Sequence, residues 1–187
     1  MMIKVSYTEL IENHYKTVWN TSGTKRNWDK GPLQDLPDDF HILEFAPHDH
    51  RNMWTYATCG MSLPDDESPI ELHMFSLFKD EEIIELLTAI AHYHRNDSAL
   101  DLGHTINFGR PWINESEATF GLISLPYLDG QNLEILKNND NIIHFYWLIP
   151  ITEREREFKK IHGIEELEKI LELKQFNYLD PHRKSVI

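Results

Sequence analysis

The chain has 187 residues, 41% of them hydrophobic and 11% aromatic, with 31 acidic against 18 basic side chains and a formal net charge of −13 at pH 7. That length and apolar content suffice for one domain with its own core and exclude a wholly disordered chain. The acidic balance disfavours direct binding of DNA or RNA, whose phosphates require clustered Lys and Arg, and Cys59 as the single cysteine excludes an intrachain disulfide and an all-cysteine metal site.

The stretch MMIKVSYTEL lacks the apolar block of a signal peptide, and no uncharged apolar run reaches the length of a membrane span, so a soluble cytoplasmic protein is expected. Ser6 and Glu9 form a capping box, and Tyr7, Leu10, Ile11, Tyr15, Val18 and Trp19 follow at helical spacing, predicting a helix that ends at Gly23. The next stretch, TSGTKRNWDKGPLQDLPDD, has the composition of a surface loop, in which Trp28 either folds back onto the core or stands out as an anchor. Short apolar runs predict strands at His41 to Phe45, Met53 to Cys59 and Ile70 to Phe78, paired as an antiparallel meander.

Asp80 then caps a helix whose apolar stripe is Ile83, Ile84, Leu87, Ile90 and Ala91. Thr105 to Phe108 predicts a strand, PWINESEA a loop, and Phe120 to Tyr127 a further strand ending at a proline. The run NIIHFYWLIP has the near-continuous apolar, β-branched and aromatic content of a strand covered on both faces, and it reads as the central strand. Pro150 has no ladder donor, so pairing is expected to lapse there, and Thr152 with Glu155 opens a capping box. The helix it starts ends at Gly163, and a second follows with Ile164, Leu167, Ile170 and Leu171 as its apolar face. The expected fold class is mixed α/β (α+β): one domain over 1–187, with a mixed, largely antiparallel sheet packed between four helices.

Histidines are the first residues to weigh as chemistry, because the chain has 11 of them. On an extended backbone His48 and His50 would point to one side beside Asp49 and could hold a divalent metal, yet no H-E-x-x-H or zinc pattern accompanies them, and solvated histidines are the plainer account. His92 and His94 lie on roughly opposite faces of a helix end and do not form a chelating pair. No G-x-S-x-G elbow, cysteine-protease signature, P-loop or G-x-G-x-x-G occurs, so no catalytic residue and no cofactor is assigned, and Cys59 reads as a core residue. The charged run Glu153 to Glu157 reads as helix-start electrostatics before acid–base catalysis. INESEA, after Trp112, reads either as an ordinary polar loop or as a grip for a basic partner.

The blocks EFAP, WTYATCGMS, IELHMFS, FGLISLPYL, WLIPITEREREF and HGIEELE, in that order between about Phe40 and Leu171, resemble the suppressor of fused-like domain family. The resemblance implies a binding protein and not an enzyme. Animal members hold a transcription factor of Hedgehog signalling by gripping an extended peptide between two lobes, and this much shorter chain resembles the N-terminal lobe. Bacterial single-lobe members look like immunity proteins that neutralise a cognate toxin, often a nuclease, which agrees with an acidic protein meeting a basic partner. By position, the family's gripping region implies partner contacts at Trp112, Glu115, Glu117 and Phe120. Two other readings stand beside it: a scaffold binding a partner peptide by strand addition at a sheet edge, and a metal-dependent enzyme using His48, Asp49 and His50.

Overall fold

The structure, a computed structural model, describes residues 5–31, 35–138 and 141–187. Residues 1–4 of the stretch read for a signal peptide, and 32–34 of the expected loop, lie outside the described residues. In chain order the elements are α1 (Tyr7–Trp19), β1 (Thr24–Arg26), β2 (His41–Phe45), β3 (Trp54–Cys59), β4 (Ile70–Ser76), α2 (Glu81–Asn96) and β5 (Thr105–Asn107). They continue as β6 (Ala118–Ser124), α3 (Gln131–Glu134), β7 (Ile135–Asn138), β8 (Asn141–Thr152), α4 (Glu153–His162) and α5 (Ile164–Leu173).

One mixed sheet runs β1-β2-β3-β4-β8-β6-β5, and β7 pairs with the start of β8 on the side that β6 takes further along. The β2–β3–β4 meander is antiparallel, as expected, and β4 lies parallel to β8, with Ile70 opposite His144 and His73 opposite Trp147. This makes β8 the centre of the sheet. Its alternate residues divide the core. Tyr146 and Leu148 join Ile70, Leu72 and Met74 beneath α2, whereas Ile143 and Phe145 pack under α1. Trp147, Ile149 and Ile151 continue that second face under α5, through Leu167 and Leu171. Helices thus cover both faces, α2 on one and α1 beside α5 on the other.

Four local expectations change. The first helix ends at Asn20, in the left-handed region at φ 51°, three residues before Gly23. Gly23 instead lies against Phe45, where a Cβ would come within 2.8 Å of the ring, and the expected loop contains the short edge strand β1. The stretch around Leu133 forms α3 and β7, a fifth helical segment and a strand that the apolar pattern was too short to separate. Pairing does not lapse at Pro150: β8 runs to Thr152, with Gly121 opposite Pro150 and a register shift in β6 between Ala118 and Phe120. The Pro150 carbonyl accepts from Arg183 Nη2 at 2.9 Å, so its backbone faces away from β6 and the missing N–H removes no bond of that ladder.

Candidate partner-binding surface

The loop from β5 to β6, with the start of β6, holds the residues that sequence position singles out, and the structure separates them. Trp112 is 2% exposed, packs with the cluster beneath α2, and donates from Nε1 to Ser116 Oγ at 3.0 Å. Phe120 is buried on the opposite face of the sheet, in the α5 cluster, with the Arg156 guanidinium 4.6 Å from its ring centroid. Neither ring is presented as an anchor. Glu115, exposed at φ 63°, and Glu117, exposed and paired with Lys184 at 2.5 Å, are the members of the set that face solvent. Their loop leaves β5, an end strand of the sheet, whose His104 carbonyl and Phe108 amide bond to β6. By alternation, the backbone groups of Thr105 and Asn107 face outward.

The histidine loop does not form the chelate expected as an alternative. His48 and Arg51 exchange backbone hydrogen bonds, and the His48 ring lies between two carbonyls, with Nδ1 3.2 Å from Ala46 O and Nε2 3.0 Å from Trp19 O. Its ring nitrogens therefore serve the fold. Among the described residues, the metal-ligating side chains that converge are Glu12, His41 and Cys59.

Aromatic and acidic residues do meet, at a groove of about 680 Å³ beside α5. Its floor is Trp147 and Ile149 from β8 and Leu171 from α5, and its walls are Tyr127, Leu128, Phe176 and Tyr178. Local chemistry builds both walls. After β6, the amides of Asp129 and Gly130 both turn back to the Pro126 carbonyl, at 2.9 and 2.7 Å, which leaves Tyr127 56% and Leu128 46% exposed at the tip. Past α5, Gln175 at φ 47° reverses the chain and brings Phe176 and Tyr178 back to Trp147, with ring centroids 6.3 and 5.2 Å away. The C-terminal segment is then clamped by Arg183, which donates to both Glu155 oxygens at 2.7 and 2.9 Å, while the Val186 amide reaches Glu155 Oε1 at 3.0 Å. Burial works to raise the Glu155 carboxyl, but these donors outweigh it and hold it below the usual range.

The rim carries Glu165, Glu168 and Glu172 against Lys169. Glu168 also ties α5 to the end of β6, accepting from Ser124 Oγ at 2.5 Å and from the Tyr127 hydroxyl at 2.9 Å. Burial, together with that carboxylate, pushes the Tyr127 hydroxyl up to about 12, so it stays a donor at neutral pH. An apolar aromatic floor under a carboxylate rim suits a cationic side chain whose alkyl stem lies on rings and whose charge reaches an acid. None of these residues stood out in the sequence, because the groove joins positions 127, 147 and 176. The available signal was FNYLDP, aromatic residues in a stretch that cannot continue a helix.

Comparison with known proteins follows the same fold. The sequence matches the suppressor of fused protein (SUFU) family over residues 37–184. A SUFU homolog from Neisseria gonorrhoeae FA 1090 superposes with a TM-score of 0.85 at 32% identity, covering 97% of each chain. The crystal structure of the Sufu-Fu complex matches at 0.72 and 13% identity over 98% of this chain and 93% of that one. Drosophila Suppressor of Fused matches at 0.65 and 16% identity over 94% of this chain and 50% of its own. These last two show a shared fold. No curated protein matches the sequence.

Proposed function

Because this chain belongs to the suppressor of fused protein family, we propose that it is a non-catalytic protein-binding module and that the α5 groove is its partner site. The single observation that carries this reading is the groove itself, with exposed Tyr127 and Leu128 beside a rim of three glutamates and one lysine. A relative solved as the Sufu-Fu complex supports a protein as the partner class. The formal charge of −13 supports a basic partner, steered electrostatically to contact. Our finer reading is a cytoplasmic immunity protein that neutralises a basic toxin, with nucleases the fitting class because their substrate sites are positively charged. Capture from the native lysate at low and high salt tests it: one basic protein, released by salt and inactive while bound, is the expected outcome. Recovery of no basic partner at low salt counts against the reading.

The outer side of β5, an end strand among the described residues, with Glu115 and Glu117 in the loop that leaves it, supports a second reading in which an extended peptide adds to the sheet edge. Charge reversal separates the two. With the captured partner, Glu165→Lys combined with Glu172→Lys weakens binding at least tenfold if the groove is the site and leaves it unchanged if the edge is. Glu115→Lys with Glu117→Lys gives the reverse pattern.

A further inference from the structure

Glu12, His41 and Cys59 come from three elements that the fold brings to one point, away from both surfaces described above. His41 and Cys59 are cross-strand partners at the ends of β2 and β3, and Glu12 reaches them from α1. One ligand atom from each lies within 4.8 Å of the others. His41 is 7% exposed and Cys59 fully buried.

Hydrogen bonds fix which ring nitrogen of His41 faces this cluster. His41 Nδ1 is 2.8 Å from the Asp39 carbonyl, which can only accept, so Nδ1 carries a proton and Nε2 is the ring nitrogen turned to the cluster. That nitrogen is aimed at Glu12 Oε1, 3.2 Å away. Beside them the Cys59 thiol donates to the Thr8 carbonyl at 3.4 Å. A ring nitrogen, a carboxylate oxygen and a thiol therefore converge on one point, a donor set that suits a shared cation. A ligating histidine commonly has its other nitrogen fixed by a carbonyl in this way. The Lys25 ammonium stands 2.5 Å from the same Glu12 oxygen, but its side chain is 58% exposed and can swing into water.

We propose that Glu12, His41 and Cys59 form a binding site for zinc, with the imidazole, the carboxylate and the deprotonated thiol as ligands and the fourth position open toward Lys25. The mix of nitrogen, oxygen and sulfur donors suits that borderline cation. Bond lengths of about 2.0–2.3 Å put tetrahedral ligands roughly 3.3–3.8 Å apart, so a shift of about 1 Å, within reach of the Glu12 side chain, closes the site. On binding, the thiol proton leaves to solvent and a Zn–S bond forms, with no change of oxidation state. Such an ion would pin α1 to the ends of β2 and β3.

The test is titration of the tag-free, reduced protein with Co²⁺ as a spectroscopic stand-in, followed by competition with Zn²⁺. The expected result is a thiolate-to-cobalt charge-transfer band saturating near one equivalent, displaced by Zn²⁺ and absent in Cys59→Ser. Affinity should fall about tenfold or more in Glu12→Gln, which alters a part-exposed residue and whose folding circular dichroism checks. It should rise in Lys25→Met, because the competing ammonium is gone. If the cluster is only an ion pair with a protonated ring, Co²⁺ meets surface histidines alone. No thiolate band then appears, and Lys25→Met changes nothing; either result overturns the site.

Discussion

Glu71 is a buried acid around which the β3–β4 turn is built. It is fully buried and its carboxylate gathers donors from the β3–β4 turn: the amides of Gly60, Met61 and Ser62 at 3.2, 3.3 and 3.1 Å, and the hydroxyls of Thr58 and Ser62 at 2.6 and 2.7 Å. Burial raises the carboxyl, against the opposing pull of these donors, and its oxygens fill a backbone nest. Glu71→Leu leaves several buried donors unpaired, and since each costs about 1–3 kcal/mol, urea unfolding should show a loss of about 3 kcal/mol or more. His73, on the same strand, sits between the rings of Trp19 and Phe75, at 5.8 and 5.3 Å, with both nitrogens unpartnered. Burial, helped by the Arg51 charge, pushes it down to about 3, against 6.5 for a free imidazole. Between those values the unfolded chain takes up a proton that the native ring refuses, so this contribution is lost as pH falls from 6.5 toward 3. One such proton gives a slope of about 1.4 kcal/mol per pH unit. Unfolding measured from pH 6.5 to 4 should show that slope reduced by one proton in His73→Phe; an unchanged slope would assign the acid sensitivity to His14 and His94, which burial shifts the same way.

Among elements, the β8–α4 corner shows how far local pattern reaches. The Thr152–Glu155 capping box forms as its spacing requires, with Glu155 N 3.3 Å from Thr152 Oγ1 and Thr152 N 2.8 Å from Glu155 Oε2. The same carboxylate also receives Arg183, a tertiary partner 28 residues on that no helix-start rule foretells. Thr152→Ala should therefore cost about 1 kcal/mol, the ordinary effect of a lost cap. Arg183→Ala should cost about 3–5 kcal/mol, because it strands a buried carboxylate. Arg183→Ala should also free the C-terminal segment from Trp147, which limited proteolysis and tryptophan fluorescence would detect. Equal losses in the two variants would mean that the clamp adds nothing to the cap.

At the scale of the whole molecule, charge and groove make one prediction: partner association weakens steeply between low and high salt, since rim carboxylates act through screened fields. Salt-independent binding would point to apolar contacts at Tyr127 and Leu128 alone. The sequence by itself determined the mixed fold, the capped helices, the meander and the central strand, because each follows from periodicity or capping within about a dozen neighbouring residues. It also carried the family resemblance, in the order of its blocks. It placed four partner contacts in one segment, whereas the fold buries Trp112 and Phe120 on opposite sheet faces and leaves Glu115 and Glu117 in solvent. Trp112 packs from the loop against one face and Phe120 from β6 against the other, so residues in one block of sequence need not meet. Only tertiary structure decided the α5 groove, the Arg183 clamp and the Glu12–His41–Cys59 cluster, since each unites side chains far apart in the chain, through contacts that exist once the sheet and its covering helices have packed.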